Sequence, residues 1–146
     1  MSEMLGNRYF IAHQFSRAIP ELENALSVQI ENDSIIKKLI ICYIQVGQIE
    51  KALKYFYDLL KKDPFIIINT DPYQDDCPCP GLVNEWEIKF NNQNTYNPNQ
   101  YLILGMLSLY CDDQKSIQYF REYIPNEDNR NIVKSILKML SQAAAH

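Results

Sequence analysis

Residues 5–26 read LGNRYFIAHQFSRAIPELENAL, and residues 39–60 read LIICYIQVGQIEKALKYFYDLL. The two stretches align at an offset of 34 residues, and similar side chains then coincide: Leu5 with Leu39, Tyr9 with Tyr43, Ala18 with Ala52, Leu22 with Phe56, and Leu26 with Leu60. Repeats of this length are typical of stacked helix pairs, because one pair cannot bury its apolar faces alone. The repeat therefore predicts an all-α fold.

The spacing resembles the pattern of the tetratricopeptide repeat family, which runs Trp-x2-Leu-Gly-x2-Tyr, then Ala-x3-Phe, then Pro. The matching positions are Leu5, Gly6, Tyr9, Ala18 and Ala25 in the first unit, and Leu39, Tyr43, Ala52, Phe56 and Pro64 in the second. Both units lack the opening tryptophan, and Ile40 stands where the pattern has glycine. The resemblance implies a right-handed α-α superhelix of about three helix pairs, with a C-terminal capping helix.

A third unit follows after a gap. Tyr101-x-x-Leu104-Gly105 matches the opening of the pattern, with tyrosine in place of tryptophan, and Ser116-x-x-x-Phe120 matches the second helix. The spacing between the two halves is one residue short. Upstream, Asn97 and Pro98 are suited to the cap and the first position of a helix.

These units divide a single domain, residues 1–142, into segments: repeats at about 1–31, 32–65 and 98–125, a loop-rich insertion at 66–97, and a capping helix at 126–142, whose start we expect at Pro125 to Asp128. Residues 143–146 look like a tag remnant and are left out of the expected fold.

Local signals predict where several helices begin and end. Asn32 is a candidate N-cap, Gly47 suits the left-handed position after a helix, and Pro64 stops the helix before it. Pro20 is expected near the start of a helix that begins around Ser16, where proline is tolerated.

Within the insertion, the apolar run 65–68 is expected to be extended, and residues 71–80 to form a loop. Residues 81–91 are expected to form one short helix with Leu82, Val83, Trp86 and Phe90 on its buried face. One hypothesis places this insertion in the groove of the repeats as a built-in ligand.

In the tetratricopeptide repeat family, the first helices of the repeats line a concave groove. Carried over, this implies groove residues Asn7, Phe10, Ile11, Lys37, Ile41, Ile44, Gln45, Leu102 and Met106. A dense basic clamp for a carboxylate is missing, so an amphipathic helix or an extended apolar peptide is the favoured ligand. The alternative is that the apolar members pack between repeats.

Cys77-Pro78-Cys79-Pro80 is the sharpest local motif. Cys77 and Cys79 could ligate a soft metal or sense redox state, although structural zinc needs four ligands and no second pair is present. Cys42 and Cys111 are expected to be buried in repeat helices. The favoured alternative is a loop that its prolines make rigid.

Composition excludes several classes of function. The formal net charge is −4 and the basic residues are thinly spread, which disfavours nucleic acid and an anionic membrane surface as partners. No phosphate loop or hydrolase motif occurs, and the carboxylates Asp71, Asp75, Asp76 and Glu85 resemble a solvated acidic loop, so we expect neither an enzyme nor a cofactor. The N-terminus has no signal-like apolar run, and the cytoplasm is the expected compartment.

The expected function is therefore that of a protein-interaction scaffold, as an adaptor or an assembly chaperone, that holds a protein or peptide in the groove. The alternative is a metal-binding or redox-sensing module that uses Cys77 and Cys79. A third alternative is a structural role through homo-oligomerisation of the exposed faces.

Overall fold

The structure, a computed structural model, describes residues 2–71, 75–79, 81–123 and 129–145. Within these ranges the chain forms nine helices and no strand: α1 Ser2–Ile11, α2 Phe15–Val28, α3 Asp33–Gln45, α4 Ile49–Lys62, α5 Phe65–Ile68, α6 Gly81–Asn91, α7 Gln100–Ser108, α8 Asp113–Glu122 and α9 Arg130–Ala144.

The helices pack in adjacent pairs: α1 with α2, α3 with α4, and α7 with α8. Short connections turn each pair into a helical hairpin. α2 also packs on α3, α4 contacts α7 across the insertion, and α9 packs on α8. These contacts confirm the predicted all-α fold.

Small residues let the helices of a pair approach closely. A Cβ atom added at Gly6 would lie 2.8 Å from Cδ2 of Leu22, and one added at Gly105 would lie 2.9 Å from the Phe120 ring. Both glycines are the ones that the repeat pattern requires. They explain why α1 fits against α2 and α7 against α8.

The first two pairs share one turn geometry. The backbone N–H of Gln14 donates to Tyr9 O, and that of Gln48 donates to Tyr43 O, each at 2.8 Å. The residue before each glutamine has a positive φ, 58° at His13 and 86° at Gly47. This is the Schellman motif that ends a helix with a left-handed residue. It recurs at the 34-residue offset seen in the sequence.

The third pair departs from this geometry. After α7 the backbone N–H of Asp112 donates to Ser108 O at 2.7 Å, and the side chain of Asp112 caps α8 by accepting from the Lys115 N–H at 3.1 Å. Asp112 follows its bonded carbonyl by four residues, whereas Gln14 and Gln48 follow theirs by five, and this difference accounts for the missing residue between the two halves of this unit. Asn32 caps α3 in the same way, accepting from the Ile35 N–H at 3.1 Å, as predicted.

The extended conformation predicted for residues 65–68 is wrong, because they form the short helix α5. Pro64 has helical backbone angles of −65° and −13°, and Oδ1 of Asp63 accepts from the Phe65 N–H at 2.9 Å. A proline that follows a capping aspartate starts a helix as readily as it ends the one before. The helix predicted for residues 81–91 is confirmed as α6.

Three predicted helix boundaries differ from those in the structure. Pro20 lies in the second turn of α2, because that helix begins at Phe15. Asn97 accepts from the Asn99 N–H, but α7 begins only at Gln100. The predicted start of the last helix at residues 125–128 lies outside the described residues, and α9 runs through the supposed tag residues Ala143 and Ala144.

None of the described helices combines the length and the apolar character needed to span a bilayer.

Replacing Gly47 with alanine tests the left-handed turn. Gly47 and Gly81 both have no atom within 4 Å of an added Cβ, but only Gly47 has a positive φ. We expect Gly47→Ala to lower the free energy of unfolding by about 1–2 kcal/mol, the cost of the left-handed conformation for an L residue. The matched Gly81→Ala variant should unfold like the wild type or slightly later. Urea titration measures both, and equal stability of the two variants would contradict the assigned turn.

Candidate functional site

The first-helix face is the surface to which α1, α3 and α7 contribute, where the sequence placed a binding groove. Five of the predicted groove residues are at most 1% exposed: Phe10, Ile41, Ile44, Leu102 and Met106. Lys37 is also buried, Asn7 and Gln45 are half-buried, and Ile11 is exposed. The apolar residues of the predicted groove are thus core residues.

The side chain of Lys37 connects α3 to the insertion. Its Nζ donates to Ile66 O at 3.4 Å, to Thr70 Oγ1 at 3.1 Å and to Asp75 Oδ2 at 3.2 Å. The carbonyl oxygen of Lys37 accepts a hydrogen bond from the Tyr110 hydroxyl at 2.7 Å. One residue of α3 therefore holds the insertion on one side and the end of the third unit's first helix on the other.

The neighbouring Lys38 makes a second link. Its Nζ donates to Oδ1 of Asn7 at 2.9 Å and lies 4.0 Å from the carboxylate of Asp76. Asp75 and Asp76, which the sequence suggested as parts of a solvated loop, therefore face two consecutive lysines. Their charges are used to dock the insertion, because buried ammonium groups need oxygen partners.

Helix α6, the second half of the insertion, is held by contacts of its own. Nε1 of Trp86 donates to Oε1 of Gln45 at 2.6 Å, and Lys115 Nζ lies 2.9 Å from Glu87 Oε1. The Tyr119 hydroxyl also donates to Glu87. Partial burial alone would raise the pKa of Glu87, but the hydrogen bonds from Tyr119 and Lys115 outweigh burial and lower that pKa.

Little free space remains beneath the insertion. A cavity of about 10 Å³ lies there, lined by residues of α1, α3, the insertion and the turn after α7: Phe10, Ser34, Lys37, Lys38, Ile41, Thr70, Asp75, Cys77 and Tyr110. This volume is close to the minimum for a single water molecule. A peptide cannot enter here, and the contacts agree with the hypothesis that the insertion itself covers this face.

The insertion is also part of the hydrophobic core. Ile67, Leu82, Val83 and Phe90 are all buried. Burying one such side chain contributes about 1.5–3 kcal/mol before the cost in conformational entropy is subtracted. With four of them in the core, the insertion is an integral part of the fold and not a removable lid.

The structure places the four cysteines in different surroundings. Cys79 is buried where the insertion meets α7, with its Sγ 3.6 Å from Leu107 O, and Cys77 is half-buried. Cys42 is buried as predicted, but the prediction for Cys111 is wrong, because Cys111 is exposed in the turn after α7. Within the described ranges, no group of three potential metal ligands converges to hold an ion.

An exposed stripe on α1 was not predicted from the sequence, apart from its member Ile11. It consists of Met4, Leu5, Arg8 and Ile11, which follow the i, i+4, i+7 spacing of one helix face. Met4 is 67% and Ile11 is 57% exposed. The opposite side of α1, with Gly6 and Phe10, packs inward. The sequence offered little signal for it, because the equivalent residues of α3 differ mainly in their surroundings.

Those equivalent residues, 34 positions on, are Lys38, Leu39, Cys42 and Gln45. Leu39 and Cys42 are fully buried, and α3 packs against α2 of the preceding pair. Within the described ranges, no helix packs over the stripe of α1. The repeat geometry therefore marks this stripe as a surface on which another helix can stack.

Comparisons with known proteins identify no relative. No protein-family model matches the chain, no curated protein is significantly similar to it, and no solved structure matches its fold.

Replacing Lys37 with methionine tests whether this residue holds the insertion. Methionine keeps the aliphatic stem but leaves Thr70 and Asp75 without their ammonium donor, so we expect a loss of about 1–3 kcal/mol in unfolding free energy. Lys61→Met is the control, because Lys61 pairs with Asp58 on an exposed helix surface and should cost less than about 0.5 kcal/mol. Hydrogen exchange should quicken in residues 66–71 only in Lys37→Met. Similar small losses in both variants would show that Lys37 does not anchor the segment.

Proposed function

We propose that this protein is a protein-interaction scaffold, an adaptor or an assembly chaperone, that holds an amphipathic helix of another protein against the exposed stripe of α1. The carrying observation is that the stripe is apolar and exposed, while the equivalent stripe of α3 is buried next to the helix α2. Within the chain, α2 already packs beside the equivalent stripe of α3. A partner helix would pack beside the stripe of α1 in the same way.

The stripe defines the chemistry of the partner. Met4, Leu5 and Ile11 offer apolar contacts, so the bound helix needs apolar anchors at i, i+3 or i+4, and i+7. Arg8 lies within the stripe and is exposed, so an acidic residue beside those anchors would complement it. The predicted groove is a poorer candidate site, because the insertion and the core already occupy it.

We also propose that the helix pairs stack as a tetratricopeptide-type right-handed superhelix. The shared Schellman turns at His13 and Gly47 support this, because they repeat at the family's 34-residue period. The cytoplasm is the proposed compartment, since the described cysteines are all free thiols, as a reducing environment would keep them. The proposal includes no catalytic step and no cofactor.

A helix-forming peptide library displayed on phage provides the probe. We expect selection on the wild-type protein to enrich amphipathic sequences with one apolar face and an acidic flank. The double variant Met4→Glu/Ile11→Glu should bind those peptides at least tenfold more weakly, about 1.4 kcal/mol, because it places charge at two apolar anchor positions. Fluorescence anisotropy with a labelled selected peptide measures the dissociation constant.

The control variant is Ile88→Glu/Tyr96→Glu, which replaces two side chains of similar exposure far along the chain. It should bind like the wild type, and circular dichroism must show both variants to be helical. Failure to enrich any peptide, or equal binding by the stripe variant, would refute the proposal. If ultracentrifugation finds a dimer that only the stripe variant dissociates, the occupant is a second copy of this chain and the partner-helix version is wrong.

A further inference from the structure

A pocket of about 180 Å³ lies where α6, α7 and α8 meet. Each helix lines it with residues three or four positions apart, which share one helix face. They include Glu87 and Phe90 from α6, Tyr101 and Leu104 from α7, and Tyr119 and Glu122 from α8. Sites for drug-sized ligands are larger, about 300–1,000 Å³, so this pocket suits a small chemical group.

The pocket has an apolar base and an aromatic wall. Phe90 and Leu104 are buried at its base, whereas Glu122 is exposed at its rim. The rings of Tyr101 and Tyr119 are half-buried, with their centroids 6.3 Å apart and their planes inclined by 32°. Two neighbouring rings make one aromatic surface, and the electron-rich faces of such rings attract cations.

The charged residues that the described chain contributes to the lining are two carboxylates, Glu87 and Glu122. Burial opposes the ionisation of Glu87, but hydrogen bonds from Tyr119 and Lys115 lower its pKa, so this group is an anion at neutral pH. Lys115 Nζ lies 2.9 Å from Glu87 Oε1, and no described residue forms a salt bridge with Glu122. Two carboxylates and one ammonium group leave one negative charge, which a single bound cation would balance.

Lys115 shows how this part of the protein holds an ammonium group. Its Nζ lies against the Glu87 carboxylate and also 6.0 Å from the centroid of the Tyr119 ring, at the limit of a cation–π contact, about 6 Å. Tyr101 and Glu122 form a second combination of ring and carboxylate. No lysine or arginine of the described chain lies over the Tyr101 ring, so this combination is open to a cation from outside the chain.

We propose that this pocket binds a methylated ammonium group, held by the rings of Tyr101 and Tyr119 and by the carboxylate of Glu122. A primary ammonium group is strongly hydrated, and the side chains of Phe90 and Leu104 cannot accept hydrogen bonds from its N–H groups. Methyl groups, in contrast, pack on this apolar base while the positive charge faces the rings and the carboxylate. This inference does not depend on the proposed function of the α1 stripe.

Titration with choline chloride tests the proposal, with amide chemical shifts in NMR spectra as the readout and sodium chloride at the same ionic strength as the blank. We expect saturable shifts confined to α6, α7 and α8, with a dissociation constant on the order of 1 mM for so small a ligand. The uncharged analogue with carbon in place of the choline nitrogen should bind about tenfold more weakly, because it loses the attraction to the rings and to Glu122. Ethanolamine, which lacks the methyl groups, should also bind more weakly. Equal binding by either compound, or shifts no larger than in the blank, would overturn the proposal.

Variants of the two contacts locate the binding site. Tyr101→Leu removes the ring and should weaken choline binding about two- to fivefold, whereas Tyr101→Phe keeps the ring and should bind like the wild type. Glu122→Gln should weaken binding by a similar factor, and its exposed position makes it the informative variant if Tyr101→Leu does not fold. Glu85→Gln is the matched control, because Glu85 is an exposed carboxylate of α6 outside the lining of the pocket. Circular dichroism must show each variant to be helical, and equal affinities of Glu122→Gln and Glu85→Gln would contradict the assigned site.

A peptide that carries trimethyl-lysine distinguishes the two sources of such a group. Tighter binding of this peptide than of choline identifies a methylated lysine of another protein, and tighter binding of choline identifies a free small molecule; both results support a site for methylated ammonium. The same peptide with unmodified lysine is the control and should bind more weakly, because its ammonium group keeps its hydration. Equal affinities of the two peptides would show that the pocket does not recognise the methyl groups.

Discussion

The buried ammonium group of Lys37 is the constraint around which the middle of the molecule is arranged. A buried charge of this kind is tolerated only where oxygen atoms surround it, and here Ile66, Thr70 and Asp75 supply them. All three oxygens belong to the segment that follows α4. Because the Lys37 carbonyl also accepts from Tyr110, the same residue sets the position of the third helix pair. The insertion is therefore a structural element of the domain.

Much of the architecture could be predicted from the sequence, since the 34-residue period and the small residues at Gly6 and Ala18 are local features of helix pairs. The surroundings of the predicted groove could not be predicted in this way. Ile41 and Met106 are apolar residues, and their identity is the same whether they face a ligand or the core. Cys111 shows the same difficulty. Its exposed position in a turn depends on one missing residue after α7, which no helical pattern in the sequence signals.

The proposed binding stripe lies where one repeat differs from the next. The stripe of α1 is exposed, whereas the equivalent residues of α3 pack beside α2. The insertion is a second departure, because it packs where a regular array would continue with a neighbouring helix pair. Departures from the repeat are therefore the places where this protein can act in ways that the repeat alone does not dictate.

The link between Lys37 and Tyr110 spans 73 residues, whereas each helix pair closes through a turn of three or four residues. Contacts that are close in sequence form early, because little loop entropy opposes them. The first two hairpins can therefore form by themselves on a growing chain. The third helix pair, in contrast, reaches its final place only after Tyr110 has been synthesised. Until then the carbonyl group of Lys37 and the surface of α4 that α7 covers face water, which defines an interval during biosynthesis when the nascent chain is most exposed to aggregation and to chaperones.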